Sequence, residues 1–157
     1  MTHADIKEWL DRNNVTNYVI RPDGIVDVYS SVLLCDCEDT ELPIQFGKVS
    51  GRFNCSRSYL TSLKGIPYFV ELGFDCSGTE LESLHGIDKR VKHIGGPFQC
   101  DAHVTHLLGL LLVDGIESFH IPNMPVHYIL QKYRGTGDVL AAQDELIDGG
   151  YIEQARF

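Results

Sequence analysis

A repeat constrains this chain more than any other feature. Phe53-Asn54-Cys55-Ser56-Arg57-Ser58-Tyr59-Leu60-Thr61-Ser62-Leu63-Lys64-Gly65 returns 21 residues later as Phe74-Asp75-Cys76-Ser77-Gly78-Thr79-Glu80-Leu81-Glu82-Ser83-Leu84-His85-Gly86, with seven of thirteen positions identical. A degraded copy starts at Phe98-Gln99-Cys100 and closes in His106-Leu107-Leu108-Gly109 with one residue fewer. Phe119-His120-Ile121 opens another, and Val32-Leu33-Leu34, running to Leu42-Pro43, is an earlier one. The leading apolar residue falls at 32, 53, 74, 98 and 119, in steps of 21, 21, 24 and 21. A unit of about 21 residues cannot bury its own apolar side, so successive units must stack and share one core.

Each unit reads apolar-x-apolar, then a turn, then two further apolar positions ending in Leu. The first two apolar residues lie two apart and so point to one face of a short strand. That places Phe53/Cys55, Phe74/Cys76, Phe98/Cys100 and Phe119/Ile121 inward. The arrangement is that of leucine-rich repeats, with Phe and Cys where Leu is commoner. The position that carries Asn in ordinary leucine-rich repeats holds Cys37, Ser58, Thr79, His103 and Met124. The expected fold is α+β: a short leucine-rich-repeat-like β-solenoid with a parallel sheet over residues 31–124, capped at both ends. Five cysteines, three of them at equivalent inward positions, read as small buried hydrophobes and not as a disulfide framework. Cys35-Asp36-Cys37 lacks a second pair at metal-ligand spacing.

Residues 1–30 form the expected N-terminal cap. Ile6, Trp9 and Leu10 share one helical face, and Thr2 is placed to cap the helix. Arg21-Pro22-Asp23-Gly24 separates two β-prone runs, 17–20 and 25–29, which predicts a hairpin. In the first unit Asp39 stands where later units have Leu60 and Leu81. Pro122 and Pro125 deny amide donors to further strand pairing, so residues 125–157 are read as a helical C-terminal cap. Val126, Ile129, Leu130 and Tyr133 fall on one face of a first helix. A second, capped by Asp138, is expected to turn Leu140, Ala141, Leu146 and Ile147 inward and to end at Gly149-Gly150. The whole makes one domain of 157 residues.

A net charge of −9 and a pI near 5.1 argue against direct nucleic-acid binding, which needs clustered Lys and Arg. The longest apolar run, Leu107 to Val113, is far short of a membrane span, and Met1-Thr2-His3-Ala4-Asp5 does not resemble a signal peptide. A cytoplasmic protein is the expectation. No Gly-x-Ser-x-Gly elbow is present, and no Lys-Ser/Thr follows Gly95-Gly96 as a phosphate loop requires. His103, His106 and His120 invite a metal site, but no carboxylate sits at matching spacing. The reading is of a protein without enzymatic activity, cofactor or metal.

Between the inward residues of successive strands lie Asn54, Asp75, Gln99 and His120, which must face out in a row with a step of about 5 Å. Arg52, Ser56, Arg57, Ser77 and Asp101 flank them. Solenoid sheets offer extended surfaces of this kind for binding other proteins; the plainer alternative is a row that keeps the sheet soluble. The Phe-x-Cys-Ser-x-x-x-Leu-x-Ser-Leu-x-Gly units, Ile6-Lys7-Glu8-Trp9-Leu10, Leu42-Pro43-Ile44-Gln45-Phe46-Gly47 and Gln143-Asp144-Glu145-Leu146-Ile147-Asp148 together resemble the leucine-rich-repeat-like accessory proteins of tailed phages. The resemblance spans most of the chain. It implies a non-enzymatic interaction protein that binds and inhibits a host protein, an antiviral defence factor or a toxin, in the host cytoplasm. An acidic surface would suit a basic, nucleic-acid-handling target. Two other readings stand beside it: a structural or virion-associated module, and a small metal-dependent hydrolase or transferase using the histidines.

Overall fold

The computed structural model covers residues 1–157. Helix α1 (His3–Arg12) begins at a reciprocal cap: Thr2 Oγ1 accepts from the Asp5 amide at 3.2 Å, and the Asp5 carboxylate accepts from the Thr2 amide at 2.6 Å. This satisfies two donors that the first helical turn leaves without partners. Ile6, Trp9 and Leu10 are its buried face. Strands β1 (Tyr18–Ile20) and β2 (Val26–Val28) then form the expected antiparallel hairpin, with Val19 opposite Asp27.

Past β2 the chain winds through β3 (Val32–Leu33), β4 (Phe46–Val49), β5 (Arg52–Asn54), β6 (Phe69–Val70), β7 (Gly73–Asp75), β8 (His93–Ile94), β9 (Pro97–Gln99) and β10 (Ser118–His120). The repeat positions pair in register: Val32 with Phe53, Phe53 with Phe74, Phe74 with Phe98, and Phe98 with Phe119. All five are at most 2% exposed. They belong to the parallel repeat sheet, ordered β10-β9-β7-β5-β3. The extra residues in the step from 74 to 98 are absorbed outside the sheet, because strand register admits no slip without turning a core side chain outward.

A second sheet, which the repeat consensus did not predict, faces the first. It runs β1-β2-β4-β6-β8, parallel except at the β1–β2 hairpin, and turns Val26, Val28, Phe46, Val49, Val70 and Ile94 inward. Aromatic rings bridge the two layers and stack along the axis: Trp9 to Phe46 at 6.2 Å, Phe46 to Phe53 at 5.5 Å, Phe53 to Phe74 at 5.2 Å and Phe74 to Phe98 at 5.6 Å between centroids. The third side of each coil is irregular and carries the buried leucines, Leu60/Leu63 and Leu81/Leu84. At the Asn position of ordinary repeats, Ser58 and Thr79 are buried and donate to the carbonyls of Cys55 and Cys76 at 2.6 and 2.8 Å. Asp39, the odd residue of the first unit, accepts the Trp9 indole N–H at 2.7 Å. The departure from Leu thus ties the cap to the first coil.

Helices α2 (Ile87–Arg90), a single turn, α3 (Met124–Tyr133) and α4 (Val139–Asp148) complete the chain. Helix α3 closes the last rung: Gln131 Oε1 accepts from the Phe119 amide at 3.1 Å, and Arg134 donates to the Ile116 carbonyl at 3.1 Å. Helix α4 departs from expectation. Leu140 and Ile147 are 70% and 46% exposed, while Ala142 and Leu146 face inward and Ala141 is half-buried. The small Ala142 lets the helix approach the core closely, so the Ala142/Leu146 stripe wins over the bulkier one. Residues 151–157 lie along the fourth coil, where the amides of His106, Leu107 and Leu108 donate to the carbonyls of Glu153, Gln154 and Arg156 at 2.9, 3.0 and 3.2 Å. The tail supplies the pairing that a further coil would have given.

Candidate protein-binding face

The expected outward row is present. Asn54 lies beside Asp75, Asp75 beside Gln99, and Gln99 beside His120, and the row begins one rung earlier at Leu33, which is 62% exposed. Its members divide by what their side chains already hold. Asn54 Oδ1 accepts from the Ser56 amide at 2.9 Å; Asp75 Oδ1 accepts from the Ser77 amide at 2.9 Å and its hydroxyl at 2.6 Å. These are Asx turns, in which a short polar side chain completes its own chain reversal. Asp101 likewise accepts from the Gly78 amide at 2.7 Å, and the Ser56 hydroxyl lies 3.6 Å from Cys35 Sγ. Four of the nine candidate residues, Asn54, Ser77, Asp75 and Asp101, therefore hold turns together. Arg52 and Arg57 are exposed at the lip of the first full coil.

Gln99 and His120 stand apart. The Gln99 amide meets no side-chain partner, and His120 is exposed with only Ser118 Oγ near its Nε2, at 3.3 Å. Beside them opens a surface cleft of about 490 Å³ lined by Ser77, Gln99, Cys100, His120, Ile121, Pro122, Met124 and His127. Met124, Pro122 and His127 are contributed by the start of α3 and the turn before it; the repeat pattern could not place them, because it ends at Ile121. A second dip, between Arg52, Gly73 and Pro97, holds about 40 Å³, room for little more than a water.

The outer face of the second sheet is spent on itself. Arg21 clamps Asp27 through two bonds of 2.7 and 2.8 Å, and Asp27 also accepts from the Lys48 amide at 2.8 Å. Burial raises the Asp27 carboxyl, but the Arg21 guanidinium and the Lys48 amide outweigh it and hold the pKa below the ordinary value. Lys48 Nζ lies over the Phe69 ring at 5.2 Å, Phe69 stacks on His93 at 4.4 Å, and His93 Nδ1 meets Asp114 at 3.3 Å. Each rung there is joined to the next by side chains.

The histidines are spread over several coils. His106 pairs with His85, rings 5.4 Å apart, and its Nδ1 lies 3.1 Å from Ser83 Oγ and 2.9 Å from Thr105 Oγ1. Burial, then His85 and Arg156, hold its pKa below the ordinary value. The Ser83 hydroxyl is already an acceptor for the His85 amide at 3.0 Å, closing a turn as Ser62 does for Lys64 in the preceding coil. No three His, Cys, Asp or Glu side chains converge as a metal centre needs, and no buried side-chain N or O lacks a hydrogen-bond partner. All five cysteines are free thiols. Burial pushes the thiols of Cys55 and Cys76 well up and that of Cys100 up to about 12, so they are thiols packed in a core and not nucleophiles.

Set against protein-family models, curated proteins and solved structures, the chain matches none. No helix is long and apolar enough to cross a membrane. The architecture is that of a capped α+β solenoid with parallel sheets.

Proposed function

We propose that the chain is a non-enzymatic interaction scaffold that binds another protein through the C-terminal half of the repeat sheet. The contact surface runs from Gln99 and His120 into the cleft edged by Pro122, Met124 and His127. One observation carries the reading: these two outward side chains, unlike Asn54 and Asp75, are not consumed by the fold, and they open onto a cleft of about 490 Å³ with apolar walls. The backbone behind them is a hydrogen-bonded rung, so little ordering entropy opposes binding. With a charge of −9, a basic partner would be steered toward the chain. On the resemblance to phage accessory proteins, the partner we propose is a host protein that the chain occludes.

The test is affinity capture from host lysate with three baits: wild type, the pair His120→Ala and Met124→Ala, and the pair Asn54→Ala and Asp75→Ala. A specific partner should be lost with the first pair and kept, on a less stable bait, with the second. Retention by the first pair would remove this surface from consideration. Recovery of the chain in purified particles, with no soluble partner, would favour the virion-associated reading instead.

A further inference from the structure

We propose that a second copy of this chain pairs with β1, edge to edge and antiparallel, about a two-fold axis through Val19. Strand β1 is the outermost strand of the second sheet. Its hairpin bonds fix which way its amides point. The Tyr29 amide donates to the Asn17 carbonyl and the Arg21 amide to the Ile25 carbonyl, both at 2.8 Å, so residues 17, 19 and 21 turn toward β2. By the alternation of antiparallel strands, Tyr18 and Ile20 present their N–H and C=O groups to the other side. Those four groups form an open edge.

The other sheet ends are closed or too short to serve. Gln131 and Arg134 finish β10, and Asp114 finishes β8, accepting from the Ile94 amide at 2.9 Å and donating to the Lys92 carbonyl at 3.2 Å. Strand β3 spans two residues and turns only Leu33 outward along its edge. Proteins commonly guard an edge with Lys, Pro, a bulge or a covering element. From Val15 to Ile20 there is no charged residue and no proline.

The edge is complementary to itself. With the axis at Val19, Tyr18 exchanges both backbone bonds with Ile20 of the second copy, and Ile20 does so with its Tyr18, so all four open groups are satisfied. Val19, 51% exposed on the outer face, then lies directly against its own equivalent at the close, non-hydrogen-bonded position. The pairing stops there, because Asn17 leaves the extended backbone at φ 58°; Arg21, just past the other end of the strand, is already neutralised by Asp27. No like charges meet. The result joins two five-stranded sheets into one of ten. An edge of three residues covers far less than about 1,000 Å², so the expected dissociation constant is on the order of 0.1–1 mM.

Sedimentation equilibrium of the full chain from about 0.01 to 1 mM spans that range. Wild type should show a monomer–dimer equilibrium, and Val19→Lys should weaken it about tenfold by replacing a β-branched contact with facing ammonium groups. Its far-UV circular dichroism should match wild type, because Val19 is exposed. Independently, Val19→Cys should form a disulfide-linked dimer under mild oxidation faster than Leu33→Cys, a control whose side chain is somewhat more exposed but lies away from the axis. A chain that stays monomeric, a dimer indifferent to Val19→Lys, or equal cross-linking of the two cysteine variants would each overturn the proposal. Should Val19→Lys fail to fold, the cross-linking comparison decides.

Discussion

Replacing Phe74 by Ala tests whether the aromatic stack holds the coils together. Phe74 is 2% exposed and sits mid-stack, its ring 5.2 Å from Phe53 and 5.6 Å from Phe98. Truncation removes the transfer energy of the ring and leaves a cavity bounded by backbone rungs that cannot collapse without breaking register. A cost of about 3–5 kcal/mol follows. Folded domains keep only about 5–15 kcal/mol in all, so this is more than half of the total at the low end and about a fifth to a third at the high end. For a chain of this size the melting temperature should fall by about 6–20 °C. Phe74→Leu, which keeps most of the volume, should lose about 1–1.5 kcal/mol. Urea unfolding followed by circular dichroism measures both, with Tyr59→Ala, at an exposed position, as the control. If Phe74→Ala costs under about 1 kcal/mol, or no more than the Tyr59 variant, the coils are not held together by their rings.

Other outcomes follow from the electrostatics and the thiols. The Asp27 pKa lies below its ordinary value of 3.8, so its contribution is whole above that pH and is lost as the pH falls below it; Asp27→Asn should lower the melting temperature at pH 7 and flatten its decline in acid. His106 is held below its ordinary 6.5 by burial, His85 and Arg156, against Glu153, so the folded chain resists protonating it and loses stability as the pH drops through and below that value. The protection factors of the Leu107 and Leu108 amides, which donate to the tail, should therefore fall between pH 7 and 5 by more than that of Val70 in the second sheet, once the slower chemical exchange in acid is divided out. Under native conditions a maleimide should label Cys35 first, since it alone is not buried, while Cys55, Cys76 and Cys100 react only as the chain unfolds. Mass spectrometry of the labelled peptides reads this directly.

The repeat sheet was legible because a period of two along each strand and a fixed offset between strands leave one consistent register, and Phe53, Phe74 and Phe98 carry it plainly. The second sheet had a signal of the same kind. Val28, Val49, Val70 and Ile94 each stand four residues before a leading apolar position and share its steps of 21, 21 and 24. A consensus that begins at Phe cuts them off, and strands of two residues give no alternation to notice. Asn54-Cys55-Ser56 and Asp75-Cys76-Ser77 carry the Asx-turn signature, which explains why half of the outward row is structural. Helix α4 was ambiguous for a deeper reason. Leu140/Ile147 and Val139/Ala142/Leu146 both recur at helical spacing, and only how closely the helix packs on the core decides between them. The cleft at Met124 and His127 depends on how a cap meets a coil, which no local pattern encodes.

The caps have a consequence for how such a protein lengthens. Because Trp9 finishes one end and Gln131 with Arg134 the other, nothing between them counts the coils. Tandem duplication of residues 53–73 would hand each new Phe a neighbour in the old register and raise the stack by about 4.8 Å. Height in this architecture is a parameter open to copying errors in the gene, while the identity of the two terminating layers stays untouched.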